Sequence, residues 1–201
     1  AREGGEGETP EQRRLRVRAS AGQGKDLRGL DMAGQRLSKA DFRGANLARS
    51  DFTGAKVNTS DFQNSIMTGT LMGDAEFFVC RFDEAVMDRV FAPGTDFFNS
   101  SFPSAILDRA NLSGCPMPKD LQGASFVQVV AFDTKFVDVH ARGTDFTSAR
   151  LIGADFFAAD LREAILRGAD LTRAKLGAAE LEGAIFTDGR VCKPGSRGTC
   201  L

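Results

Sequence analysis

Residues 149–176 read ARLIGADFFAADLREAILRGADLTRAKL. Within this stretch a Leu or Phe recurs at every fifth position: Leu151, Phe156, Leu161, Leu166, Leu171 and Leu176. An Ala stands two residues before each one. Side chains two apart point to the same face of an extended segment. Each five-residue unit therefore offers one large and one small side chain to one interior, then bends. The spacing suits neither a helix, which needs a period of 3.6, nor a long strand, which needs a period of two. Read as a helix array, the apolar positions would drift round the surface.

The same step extends outward through most of the chain. Upstream, Leu27 to Met117 keep the five-residue spacing. The register then slips by one residue beside Pro116 and Pro118, and resumes from Leu121 to Phe186. Of the 33 positions, 24 are Leu or Phe, and all five Met residues of the chain fall among them. The small residue two positions earlier is Ala, Ser, Thr or Cys in 26 of 33 units. Gly recurs at the junctions (Gly29, Gly44, Gly153), the positions where a bend would demand an unusual backbone angle. A coil whose sides stack on the coil below satisfies the pattern, since stacking pairs buried N–H and C=O groups between coils. Proline donates no ladder bond, so a kink or bulge is expected at the slip. Over 127–144, Val129 and Val139 take small slots while Ala131 and Ala141 take large ones. This swap conserves volume.

The units ADFRGANL (40–47), SDFTGAKV (50–57), ADLREAIL (159–166) and ADLTRAKL (169–176) resemble those of the pentapeptide-repeat family. The resemblance implies an all-β fold, a right-handed quadrilateral parallel β-helix of about eight coils over residues 25–188. The period alone would also permit three sides. Two end segments complete the expected organisation. In residues 1–24, Thr9-Pro10-Glu11-Gln12 has a capping-box pattern and predicts a short helix over about 10–20, laying Leu15 and Val17 on the first coil. The basic run Arg13, Arg14, Arg16, Arg18 reads as a solvated cap face, or as a contact for an acidic partner. In residues 189–201, Cys192 and Cys200 flank a Pro/Gly turn and read as a disulfide, with free thiols or half a metal site as the alternatives. Cys80 and Cys115 occupy small inward slots and read as buried thiols.

Catalytic constellations are missing from the pattern. The only His, His140, stands next to a core slot and is expected to face outward. No base stands beside a nucleophile, and no phosphate loop or metal spacing occurs, so no cofactor and no metal are expected. The recurrent Asp residues, such as Asp41, Asp51 and Asp160, are placed by the repeat and read as outer-face or bend-capping residues rather than acid catalysts. Formal net charge is −1, which gives no ground for nucleic-acid binding, and no apolar run reaches the ~20 residues of a membrane helix. Five Phe residues lie outside the core slots: Phe78, Phe91, Phe98, Phe132 and Phe157. Counting units in fours places Phe78, Phe98, Pro118, Val137 and Phe157 on one side in successive coils, beside a charged side carrying Arg43, Gln63, Asp83 and Arg162. Such an exposed apolar strip marks a candidate interface for a protein partner or a second copy.

A disulfide outside the core implies an oxidising compartment. With that pair and a start at Ala1 that suggests removal of an upstream segment, the chain is similar to the pentapeptide-repeat proteins of the thylakoid lumen. The expected role is thus a non-enzymatic interaction or assembly rod of the chloroplast lumen. Without the resemblance, a bacterial periplasm fits equally. The family also includes DNA-mimicking topoisomerase inhibitors, a role that needs a strongly acidic rod and is disfavoured by the near-neutral charge.

Overall fold

Every fifth residue bridges the residue one coil further on. The computed structural model describes residues 24–201. Asp26 pairs with Asn46, Asn46 with Ile66 and Ile66 with Val86, all parallel and twenty residues apart. Five residues per unit and twenty per coil leave four walls. The first wall carries Asn46, Ile66 and Val86; the second, Asp51, Leu71 and Phe91; the fourth, Asp61, Arg81 and Ser101. The third holds the longest ladder: β1 (Arg36–Ser38), β2 (Lys56–Asn58) and β3 (Glu76–Phe78), paired in parallel in the order β1-β2-β3. Bonds run both ways between coils. The Phe62 N–H donates to Arg81 O at 2.7 Å, and the Arg81 N–H donates to Ser60 O at 3.1 Å. The expected N-terminal helix and the basic run Arg13–Arg18 lie outside the described residues.

The five-residue step fixes the interior. From Met32 to Leu166 the large core positions are buried, most of them completely. On the fourth wall, Phe42, Phe62, Phe82 and Phe102 form a ring ladder with centroids 5.0, 4.9 and 4.7 Å apart. Facing rings such as Phe97 and Phe102 meet edge to face at 5.1 Å, a favoured aromatic geometry. The swapped slots pack as the volumes require: Val129, Ala131, Val139 and Ala141 are all fully buried. Small slots that carry a hydroxyl add a second tie between coils. Thr70 donates to Leu47 O at 3.1 Å, Ser100 to Phe77 O at 2.9 Å and Thr144 to Leu121 O at 2.8 Å. Ser65 Oγ is the one buried side-chain polar atom without a partner among the described residues.

Corners have one recipe. The residue two after each core position from Leu27 to Leu181, Met117 excepted, adopts positive φ, and the next N–H usually closes a four-residue turn, as Leu30 does to Leu27 O at 3.2 Å. Positive φ at the third residue is the mark of a type II turn. Glycine fills fewer of these corners than expected: Lys39, Thr59, Asn64, Val79 and others hold φ between 49° and 59°. The repeated Asp caps the same bend. The Thr53 N–H donates to Asp51 Oδ1 at 2.8 Å and the Arg162 N–H to Asp160 Oδ1 at 3.2 Å. After β1 and β3 the closing N–H turns instead to a hydroxyl on the next coil, Ala40 to Ser60 Oγ and Cys80 to Ser100 Oγ. Both of those sides are three-residue strands.

At the prolines one coil shortens. Ser101 pairs with Asp120, Ile106 with Ser125 and Pro116 with Lys135, each nineteen residues apart, so no wall is skipped. The missing residue is a corner: Lys119 follows Pro118 directly and already precedes the next wall, where its carbonyl accepts the His140 N–H. Beyond Ile185 the chain reverses. Val191 pairs antiparallel with Ile185, and Arg197 with Glu180. The Cys192 N–H bonds Ala184 O and the Gly198 N–H bonds Ala179 O, so this strap covers part of the last coil's edge. The Cys192 and Cys200 sulfurs are bonded, with Cα atoms 4.9 Å apart.

Candidate interaction face

Each outward side chain flanks a core residue, so the ladder decides which of them share a wall. Phe78, Phe98, Val137 and Phe157 each follow a core position of the third wall, in different coils of one column. Their exposures are 46%, 51%, 38% and 53%, high for apolar side chains in a body whose interior is closed to water. Phe78 and Phe98 stack at 4.8 Å. The Phe157 ring leans over Gly177, so close that a Cβ there would lie 3.2 Å from it. Pro118 belongs to the same column but does not face solvent. With the corner residue gone, the chain turns inward immediately after it, and Pro118 is buried. The exposed strip is therefore two segments, Phe78–Phe98 and Val137–Phe157, separated by a buried proline.

Other apolar surface lies on different walls. Leu71 and Phe91 are neighbours on the second wall, 43% and 49% exposed, and Ile66 and Ile106 lie on the first. Phe91 was legible only as a ring outside the core slots; it precedes a core position rather than following one, and faces out all the same. Phe132, half-buried on the second wall, is covered by the Arg150 guanidinium at 4.7 Å from the ring centroid.

The fourth wall is charged and internally matched. Arg43 grips Asp41 with two bonds, at 2.9 and 2.6 Å. Arg162 grips Asp160 at 2.8 and 2.6 Å and also reaches Glu180 at 3.3 Å. Arg81 lies 3.3 Å from Asp83. The guanidinium bonds hold the Asp41 and Asp160 carboxyls below the ordinary carboxylate range. His140 is exposed on this wall. No cluster of three or more His, Cys, Asp or Glu side chains suited to a metal occurs among the described residues. Cys80 and Cys115 are free and buried, and burial pushes both thiols up to about 12. Each donates to a carbonyl, Cys115 to Ala92 O at 2.8 Å, so they behave as packing residues rather than nucleophiles.

A family model described as pentapeptide repeats, with eight copies, matches residues 26–64 and 149–188. Among solved structures, trypsin-treated QnrB1, a plasmid-mediated fluoroquinolone resistance protein, is 20% identical over 75% of this chain and 76% of its own, with a TM-score of 0.54. HetL, a pentapeptide repeat protein involved in heterocyst differentiation regulation from the cyanobacterium Nostoc sp. strain PCC 7120, is 22% identical over 88% of this chain and 97% of its own, with a TM-score of 0.42. A pentapeptide repeat protein from the Arabidopsis thaliana thylakoid lumen is 22% identical over 68% of this chain and 77% of its own, with a TM-score of 0.37. At 20% identity the likeness to QnrB1 is one of fold. No curated protein matches the chain. Proteins built of these repeats are generally structural or interaction proteins and fold as right-handed β-helices. The five-residue step, the twenty-residue ladder and the family model converge: residues 26–64 and 149–188 are pentapeptide repeats, and the same step runs through the rod between them.

Proposed function

We propose that this protein is a non-enzymatic interaction rod that docks a protein through its third wall, in an oxidising compartment, the thylakoid lumen. One observation carries the reading: four apolar side chains share one outward column, and three are phenyl rings about half exposed. Apolar surface of that kind, here in two segments of one column, is costly to leave in water and marks interfaces. A stacked, laterally bonded wall also presents its side chains at fixed spacing, which keeps the ordering cost of docking low. The compartment is inferred from the bonded Cys192 and Cys200 outside the repeat and from the resemblance already noted. DNA mimicry would need an unbroken acidic track, whereas the carboxylates of the fourth wall are interleaved with guanidinium groups.

Replacing Phe78, Phe98 and Phe157 together by Ser tests the proposal. These side chains contribute nothing to the closed interior, so the melting temperature should stay close to that of the parent. In native extracts of the source organism, the tagged triple variant is expected to run as the free rod while the parent runs in a larger assembly. An assembly of unchanged size would overturn the reading.

A further inference from the structure

We infer that the third wall pairs with the third wall of a second copy, the two rods lying antiparallel. The inference rests on the reading of that wall as a docking face and names its occupant. Two columns share the wall. The apolar one runs from Phe78 to Phe157 and ends at Gly177. Beside it, one position before each core residue, runs a column of mostly charged residues from Arg36 to Lys175. Two copies laid wall to wall are related by a two-fold axis either along the rods or across them. An axis along the rods exchanges left and right, and sets phenyl rings on charged groups. An axis across them reverses the rod and leaves each column facing its own reversed copy. Only the antiparallel pair buries ring against ring.

Charge then selects the register. Place the axis between the levels of Pro118 and Val137. Phe98 then meets the second copy's Phe157, Phe78 lies over Gly177, and Val79 lies over Ala178. Bulky residues from one end of the wall thus face small ones from the other. Glu76 meets Lys175. A shift of one coil in one direction sets Glu76 on Asp155 and Lys56 on Lys175; a shift in the other sets Lys135 on Lys135 and Asp138 on Asp138. The chosen register keeps one like pair, Asp96 against Asp155, and Asp155 is already accompanied by Lys175 at 3.3 Å.

Size sets the strength. Three rings at half exposure, at ~200 Å² each, give about 300 Å² of apolar surface per copy. With the rim this is still below the ~800 Å² per partner of a standard interface, so dissociation in the range of roughly 10–100 µM is expected.

Sedimentation velocity of the full chain across that range should show a monomer passing to a dimer. Glu76→Lys should weaken the dimer about tenfold, and adding Lys175→Glu should restore it, because the swapped charges meet again across the axis. A short bismaleimide distinguishes the orientations, since the native free thiols are buried. Val137→Cys lies next to the axis and should cross-link to its own copy. Asn58→Cys, in the same column, would be about 34 Å from its counterpart at ~4.8 Å per coil and should not. A chain that stays monomeric overturns the self-pairing, while the docking reading is judged separately by the assembly size of the triple Ser variant. Equal cross-linking at both positions, or a double charge swap that fails to restore association, overturns the antiparallel register.

Discussion

The corner residue is where single side chains act most plainly. Thr59 is exposed, β-branched and held at φ 49°, a region that costs an L-residue roughly 1–2 kcal/mol. Thr59→Gly removes that strain but adds freedom to the unfolded chain, for a net gain of about 0.5–1 kcal/mol by urea denaturation. Gly153, at φ 73°, is the opposite case. An added Cβ would lie 2.2 Å from Asp133 Oδ1, so Gly153→Ala should cost about 1–2 kcal/mol and displace the Asp133 carboxylate. The paired carboxylates set the response to acid. Asp41 and Asp160 titrate below 3.8 in the folded rod, chiefly through bonds from Arg43 and Arg162. A depressed folded pKa means that their contribution is complete above the unfolded value near 4. It is lost as the pH falls through the lower folded value. Melting temperature should therefore drop steeply below about pH 4, and less steeply for Asp160→Asn, as differential scanning calorimetry would show.

Elements in this rod are the single wall segment and the strap, and each fails in its own way. Phe82 stacks between Phe62 and Phe102, and Phe82→Ala should cost about 3–5 kcal/mol in chemical denaturation because neighbouring coils cannot collapse into the void. The strap is tied by one disulfide over a sequence separation of eight residues. A loop that small is worth about 2.5 kcal/mol in the chain-entropy model, so Cys192→Ser with Cys200→Ser should lower stability by that order. Amide exchange is the sharper measurement, with protection lost first at Cys192 and Gly198. The wall segments were legible in the sequence because size alternation is one-dimensional: large at one slot, small two before it. The strap's antiparallel return was not, since its bonds are backbone to backbone and carry no side-chain signal. The three-residue strands β1 to β3 were hidden for a related reason. At β1 and β3 a hydroxyl one coil away takes the closing N–H, a contact between residues twenty apart.

Across the whole molecule, each coil touches chiefly the coils before and after it, and stability propagates along the rod as a sum of such contacts. A charge placed at Phe156 lies in the fully buried interior and has no room to reach water, so Phe156→Asp should open the coils around it. Limited proteolysis of that variant should cut within about one coil of residue 156 before it cuts the coils of Phe62 and Phe82. The assignment of residues to walls could be read by counting, because the nineteen-residue coil at the prolines loses a corner and not a side. The burial of Pro118 could not, since counting places a residue on a wall without saying how far it stands out. The uniform twenty-residue rung spacing has one more consequence, for how such a chain tolerates changes in length. Excising twenty consecutive residues within the regular stretch removes one storey and leaves all four façades in place. Excising five turns everything downstream by a quarter revolution, so the phenyl column would break and continue round the corner. Viable length variants of this rod should therefore differ by whole storeys, or by a single residue lost where the chain rounds a corner.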